Sequence, residues 1–184
     1  MGSTLKNADI KATFFIVGQW AEKYPDTVRM IAAGGHDIAN HSYSHLRMGI
    51  MDRGRIRNEI VKCGDMLEKL TGGRTELFRA PYGDYGSNAV SVARGLGYYT
   101  IQWNVDSLDW KPDIGREEIM TRIYDRVKPG SIILFHNDTL HTAGILPDII
   151  QGLENMGYGF LPVSKMILRE NYMIDFDGCQ KMKY

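Results

Sequence analysis

Two cysteines in 184 residues, Cys63 and Cys179, are too few and too far apart for a disulfide scaffold or a cysteine-rich metal site. Charge of one sign is lacking too: 22 lysines and arginines face 22 aspartates and glutamates, with no run of like charge. No electrostatic nucleic-acid or membrane surface is therefore expected, and a neutral substrate is easier to accommodate. No apolar run approaches the roughly 18 residues of a membrane span. Met1-Gly2-Ser3-Thr4 begins no signal peptide; the natural N-terminus is expected upstream, and localisation is not read from this end. What remains is the composition of an ordinary globular protein, expected as one domain over 1–184 with a tail from 170.

Lys11 to Val17 is a nearly continuous apolar, β-branched run ending at Gly18, which reads as a strand buried on both faces. A helix follows from Pro25 and stops at Gly34-Gly35; His36 to Ala39 is a short second strand. From Asp52 to Leu70, Ile56, Ile60, Cys63, Leu67 and Leu70 step by four and three, so this segment is an amphipathic helix with Cys63 as core filler. The same reading continues with a strand at Leu77-Phe78, a helix from Ser87 to Gly95 and a strand from Tyr98 to Val105. Next come a helix from Arg116 to Val127, a strand from Ser131 to Phe135 and a helix from Ile145 to Met156. A strand from Tyr158 to Leu161 and a closing helix from Val163 to Leu168 end the series. Six β-α units predict a parallel sheet flanked by helices, either open and doubly wound or closed as a barrel.

Four polar clusters each follow the C-terminal end of a strand, and those ends share one face in either architecture. The first is Asn40-His41-Ser42-Tyr43-Ser44-His45. Two imidazoles four residues apart span about one helical turn, so both rings can face one cation such as zinc. Taken alone, the pair reads as two polar rings capping a loop; the convergence of clusters raises it to a metal site. A metal there would lower the pKa of bound water towards ~7, and hydrolysis is its natural use. His136 could donate a proton to a leaving group, with Asp109 or Asp106 orienting its imidazole. Trp110 and Leu134 offer apolar walls around a small group, and backbone N–H groups of Pro81-Tyr82-Gly83 could face an oxyanion. Arg79 would position a carboxylate, or else tie two loops through an ion pair; Trp110 could equally be core. His36, at the opposite end of its strand, reads as structural, and His141 as a rim residue.

These residues resemble the polysaccharide deacetylases of the NodB-homology type, the fourth carbohydrate esterase family, from about Ala12 to Leu168. Lys11-Ala12-Thr13-Phe14-Phe15 matches the family's second strand and His41-Ser42-Tyr43-Ser44-His45 its metal-binding motif. Arg79-Ala80-Pro81-Tyr82-Gly83 matches its groove motif, Asp106-Ser107-Leu108-Asp109-Trp110 its aspartate-tryptophan motif, and Leu134-Phe135-His136 its leucine-any-histidine motif. The resemblance implies a distorted, incomplete (β/α) barrel and metal-dependent removal of acetyl groups from N-acetylated sugars of peptidoglycan or chitin-like polymers. It implies that His41 and His45 bind the metal, usually zinc, and that His136 is a general acid tuned by Asp109. Tyr82 would offer its N–H to the acetyl oxygen beside Pro81, Trp110 and Leu134 would line the acetate pocket, and Arg79 would hold the base. It further implies an extracellular or cell-wall-facing protein, with the stretch from Ser131 to Thr142 most like sporulation or cell-wall deacetylases of clostridia and bacilli.

Family members carry an earlier strand ending in Thr-Phe-Asp-Asp, whose first aspartate is the base and whose second is the third metal ligand. No counterpart stands ahead of Ala12 here, so that strand is expected to be missing, with weak metal affinity, impaired activity and an exposed edge prone to self-association. Ile174-Asp175-Phe176-Asp177-Gly178 echoes the motif but reads as a tail turn. Asp37 is expected no closer to the metal than its outer surroundings. The competing readings are a non-catalytic glycan-binding relative and a structural metal clip in an open α/β protein.

Overall fold

The computed structural model describes residues 2–183. Helix α1 (Gly2–Asn7) leads into β1 (Thr13–Ile16), α2 (Gly18–Lys23), α3 (Pro25–Ala33) and β2 (Asp37–Asn40). The long α4 (Arg53–Thr71) precedes β3 (Leu77–Phe78), a 3-10 turn (Pro81–Gly83), α5 (Ser87–Gly95) and β4 (Tyr99–Thr100). Then come β5 (Val105–Asp106), α6 (Arg116–Tyr124), β6 (Ile133–Leu134), α7 (Thr142–Asn155), α8 (Val163–Met166) and the strands β7 (Tyr172–Ile174) and β8 (Gln180–Met182). No described helix is long and apolar enough to cross a membrane.

All pairing from β1 to β6 is parallel. One sheet runs β1-β2-β3-β4, and β5 pairs separately with β6. Thr13 lies opposite Asp37, Ile16 opposite Asn40, and Asn40 opposite Phe78, which sets the ends of β1, β2 and β3 side by side. The fold is thus an incomplete, opened α/β barrel. Among the described residues the outer edges of β1 and β6 have no ladder partner. Phe14 of β1 and Phe135 beyond β6 nevertheless pack on one cluster, with Leu5 of α1 and Leu146 and Ile150 of α7.

Helix α4 forms where its sequence is most periodic. Asp52 caps it by accepting a hydrogen bond from the Arg55 N–H at 2.9 Å, and Gly72 ends it with φ of 74°. Its apolar stripe divides between two clusters: Cys63 and Leu67 meet Ile16, Ala21 and Val28, while Ile56 and Ile60 meet Phe78 and Ala93. On the other side Val105 packs with Ile119, Ile123, Ile145 and Ile149. Each fully buried isoleucine or leucine here stabilises the fold by roughly 1.5–3 kcal/mol.

Several expected elements differ. The strand expected from Tyr98 to Val105 is two short ones, because the Arg79 guanidinium donates to the carbonyls of Ile101 and Gln102, each at 3.3 Å, and occupies acceptors a continuous ladder would use. The strand expected over Ser131 to Phe135 shrinks to Ile133–Leu134, which among the described residues pairs with β5 alone. Tyr158 to Leu161 forms no strand: Tyr158 and Phe160 pack into the core from an unpaired segment, and Leu161 is exposed. Helices α1 and α2 were not anticipated; Leu5 is buried, and the Ile10 N–H closes α1 onto the Leu5 carbonyl at 2.9 Å.

The tail is an antiparallel hairpin, Tyr172 opposite Met182, whose turn uses the Asp175 carboxylate to bind Lys181 and the N–H groups of Asp177 and Cys179. Arg169, just ahead of it, bonds Glu76 at the N-terminal end of β3, so the tail is anchored at the opposite end of the strands from His41. Asp37 is likewise committed, accepting from Thr13 and from both the N–H and hydroxyl of Ser164. His36 is structural, its Nδ1 accepting the Ala12 N–H at 3.1 Å.

Candidate active site

The register brings the polar clusters together. The His41 N–H reaches the Ile16 carbonyl, the Arg79 N–H the Asn40 carbonyl and the Ser107 N–H the Leu134 carbonyl, so residues just beyond three strands stand at the strand ends, and His136 beyond β6 is close enough to act on both His41 and His45. The His41 and His45 rings meet edge to face with centroids 5.0 Å apart and planes at 73°. They do not sit on a helical turn. The connecting residues form an irregular loop in which Ser42 and His45 take positive φ values of 65° and 55°.

Such a backbone is strained for residues with a Cβ and persists where its surroundings over-determine it. Buried Asn40 accepts the Ser42 N–H at 3.0 Å and donates to the Ile60 carbonyl at 2.8 Å, tying the loop's start to α4. Glu59, also on α4, accepts from the N–H groups of Tyr43 and Ser44 and from the Ser44 hydroxyl. From the first sheet edge, the N–H groups of Gly18 and Gln19 donate to the carbonyls of Ser42 and Tyr43, each at 2.9 Å. A Cβ at Gly18 would stand 3.1 Å from the Tyr43 Cα and 2.5 Å from its ring. Gly18→Ala is therefore expected to destabilise the fold by about 1–3 kcal/mol through displacement of this loop, checked by urea unfolding; an unchanged midpoint would mean the loop is not locked there.

The His41 Nδ1–H donates to the Arg79 carbonyl at 2.8 Å, which leaves Nε2 as the free lone pair. Burial pushes the His41 imidazole down to about 4, against the smaller raising effect of that carbonyl, so the ring is neutral at pH 7. His45 also lies below its ordinary value, first through burial and then through the neighbouring His136. Two neutral imidazoles fit two corners of a zinc site. No group of three histidines, cysteines or carboxylates occurs among the described residues, so a third donor is not supplied by them.

Opposite stands a buried carboxylate that three donors reach. Asp109 accepts the His136 Nδ1–H at 2.8 Å, the His136 backbone N–H at 2.9 Å and the Thr142 hydroxyl at 2.6 Å. Burial alone would raise its pKa, but these hydrogen bonds overcome it and hold the carboxyl below its ordinary value. With Nδ1–H committed to Asp109, the Nε2 of His136 remains for other partners. Asp106 takes no part in orienting His136; it accepts the Leu108 N–H in the turn that delivers Asp109, where Leu108 has φ of 58°.

Arg79 is 5% exposed, stacks on Phe15 at 3.9 Å and has no carboxylate partner among the described ion pairs, so it is not a salt-bridged loop tie. Burial lowers it to about 10, which still leaves a buried cation at neutral pH. Pro81 is buried and starts the turn in which Tyr82 has φ of 60°; the Tyr82 N–H has no acceptor among the described residues. Leu134 is buried, whereas Trp110 is 55% exposed and so is not core. His141 precedes the first residue of α7 and is half-buried. Glu59 and Thr142, which hold the His loop and Asp109, are residues that the sequence alone does not single out: neither stands in a motif, and each bonds a partner 15 or more residues away.

A family model described as polysaccharide deacetylase matches residues 2–101. The chain belongs to that family. It is 36% identical over 166 residues to a peptidoglycan-N-acetylglucosamine deacetylase of Bacillus cereus, covering 88% of this chain and 60% of that one. It is 27% identical to the peptidoglycan-N-acetylmuramic acid deacetylase PdaA of Bacillus subtilis, covering 90% and 64%. Among solved structures, a peptidoglycan N-acetylglucosamine deacetylase bound to a hydroxamate-type benzamide superposes with a TM-score of 0.87 at 33% identity, covering 90% and 79%. A family-4 carbohydrate esterase pseudoenzyme from Bacillus anthracis gives 0.86 at 30% identity, covering 90% and 58%, and a mutant of it is described as having restored enzymatic activity. This family member thus spans about 60% of the length of several relatives it matches.

Proposed function

We propose that this chain is the catalytic part of a metal-dependent deacetylase that hydrolyses the N-acetyl amide of amino sugars in a cell-wall polysaccharide. The observation that carries this reading is the Asp109–His136–Thr142 cluster on the same strand-end rim as the His41/His45 pair. Bound between His41 and His45, zinc would supply Lewis acidity and activate water. His136, oriented by Asp109, holds the proton that the leaving amine needs. The Tyr82 N–H is the donor for the acetyl oxygen, and Leu134 and Trp110 flank the methyl group. The Arg79 cation is the counter-charge for a carboxylate base not found among the described residues.

Acetate release from peptidoglycan and from N-acetylglucosamine oligomers tests the reading, using this chain and a version extended upstream by a strand ending in Asp-Asp. Release by the extended protein that is lost in His136→Ala supports it; release that survives His136→Ala contradicts it. The second reading, a non-catalytic glycan binder, is favoured by one observation: only two candidate metal ligands meet in the described site. A peptidoglycan substrate makes a cell-wall-facing location the natural one. The unpartnered edges of β1 and β6 also offer a template for self-association, so light scattering on the chain alone is expected to show dimers.

A further inference from the structure

His45, Tyr82 and Arg47 form a short row leading out of the site. The Tyr82 ring lies 4.7 Å from the His45 ring, and the Arg47 guanidinium carbon lies 4.7 Å from the Tyr82 centroid. Tyr82 is 59% exposed, so this row is open to solvent beside the metal-binding imidazole. The base of Arg47 is held firmly: the next residue, Met48, is 1% exposed in the core, and its carbonyl accepts the Met51 N–H. Its head group is uncommitted. No ion pair of Arg47 occurs among the described residues, and the nearby carboxylate of Asp84 accepts the Gly49 N–H instead.

With its carbon over the Tyr82 ring and no hydrogen bond of its side chain among the described residues, the Arg47 guanidinium has N–H groups left for a carboxylate in two-point geometry. The stacking also limits the rotamers available to the arginine, so less freedom is lost when an anion binds.

We infer that Arg47 is a specificity residue that grips a carboxylate carried by the glycan, one ring's breadth from the acetyl group. Resting on the deacetylase reading, this narrows the substrate to an acidic amino-sugar polymer, with a carboxylate on an ether side arm or on an attached peptide. It departs from the neutral substrate that the balanced composition suggests: net charge averages over the surface, while Arg47 acts locally.

Binding to the 184-residue chain is measured by calorimetry at low salt with three tetrasaccharides. One is a chitin oligomer, one alternates N-acetylglucosamine with N-acetylmuramic acid bearing free lactyl groups, and one carries stem peptides on those groups. The acidic sugars are expected to bind about tenfold more tightly than the chitin oligomer, with the preference lost in Arg47→Gln and at high salt. Preference for the free lactyl form assigns the contact to the sugar's own carboxylate; preference for the peptide form assigns it to the stem. If glycans bind but the preference is absent or survives Arg47→Gln, the assignment of Arg47 is wrong and the glycan groove stands. If no glycan binds, the glycan-groove reading falls and the Arg47 assignment with it.

Discussion

Replacing Asp109 with alanine is expected to cost the fold about 3 kcal/mol at pH 7, among the largest losses any single change in the site should produce. The Asp109 side chain is fully buried and receives three hydrogen bonds, so its removal strands the Thr142 hydroxyl and both His136 donors at once. Asp109→Asn should be milder in shape but still costly, because its amide group turns donors towards donors. The pH dependence follows from the depressed carboxyl. Its stabilising contribution is fully present above its ordinary value of 3.8 and is lost as pH falls through the lower folded value. Urea unfolding of parent and variant should therefore differ most at neutral pH and converge in strong acid. A difference below about 1 kcal/mol at pH 7 would show that the cluster does not hold this end of the fold together.

Arg79→Met is expected to separate stability from function. A buried guanidinium without a carboxylate has lost its hydration and regains little from two carbonyls at 3.3 Å and the faces of Phe15 and Trp103. Methionine keeps much of that packing without the charge, so unfolding free energy should stay within about 1 kcal/mol of the parent or rise. In the upstream-extended protein the same change should lower acetate release by about 100-fold or more, since the carboxylate base proposed for the reaction would lose its counter-charge. A stability loss of about 3 kcal/mol would instead make Arg79 a structural tie between β3 and the segment after β4.

The sequence carried the periodic parts of this fold well. Helix α4 has a stripe, an aspartate cap and a glycine stop, all local signals, and it stands within a residue of its expected bounds. Short strands were harder: Ile133–Leu134 is defined by its pairing with Val105–Asp106, a long-range property that no window of residues contains. In the site, His41, His45, Arg79, Asp109 and His136 were legible because each sits just beyond an apolar run, where strand ends converge. How the His pair is held was not. A helical turn and a loop with two positive-φ residues can both bring two rings together, and the loop is held by Asn40 at its start, by Glu59 from α4 and by the N–H groups of Gly18 and Gln19.

We propose His41 and His45 as two ligands of a metal site and expect its remaining donor to be a carboxylate from a further strand. Zinc titration of this chain, of its His41→Ala and His45→Ala variants and of the upstream-extended protein tests it most directly. Weak one-to-one binding is expected for the chain, lost in either alanine variant and strengthened by about 100-fold or more in the extended protein. Zinc binding that is indifferent to both histidines would contradict the account, as would binding that the added aspartates leave unchanged.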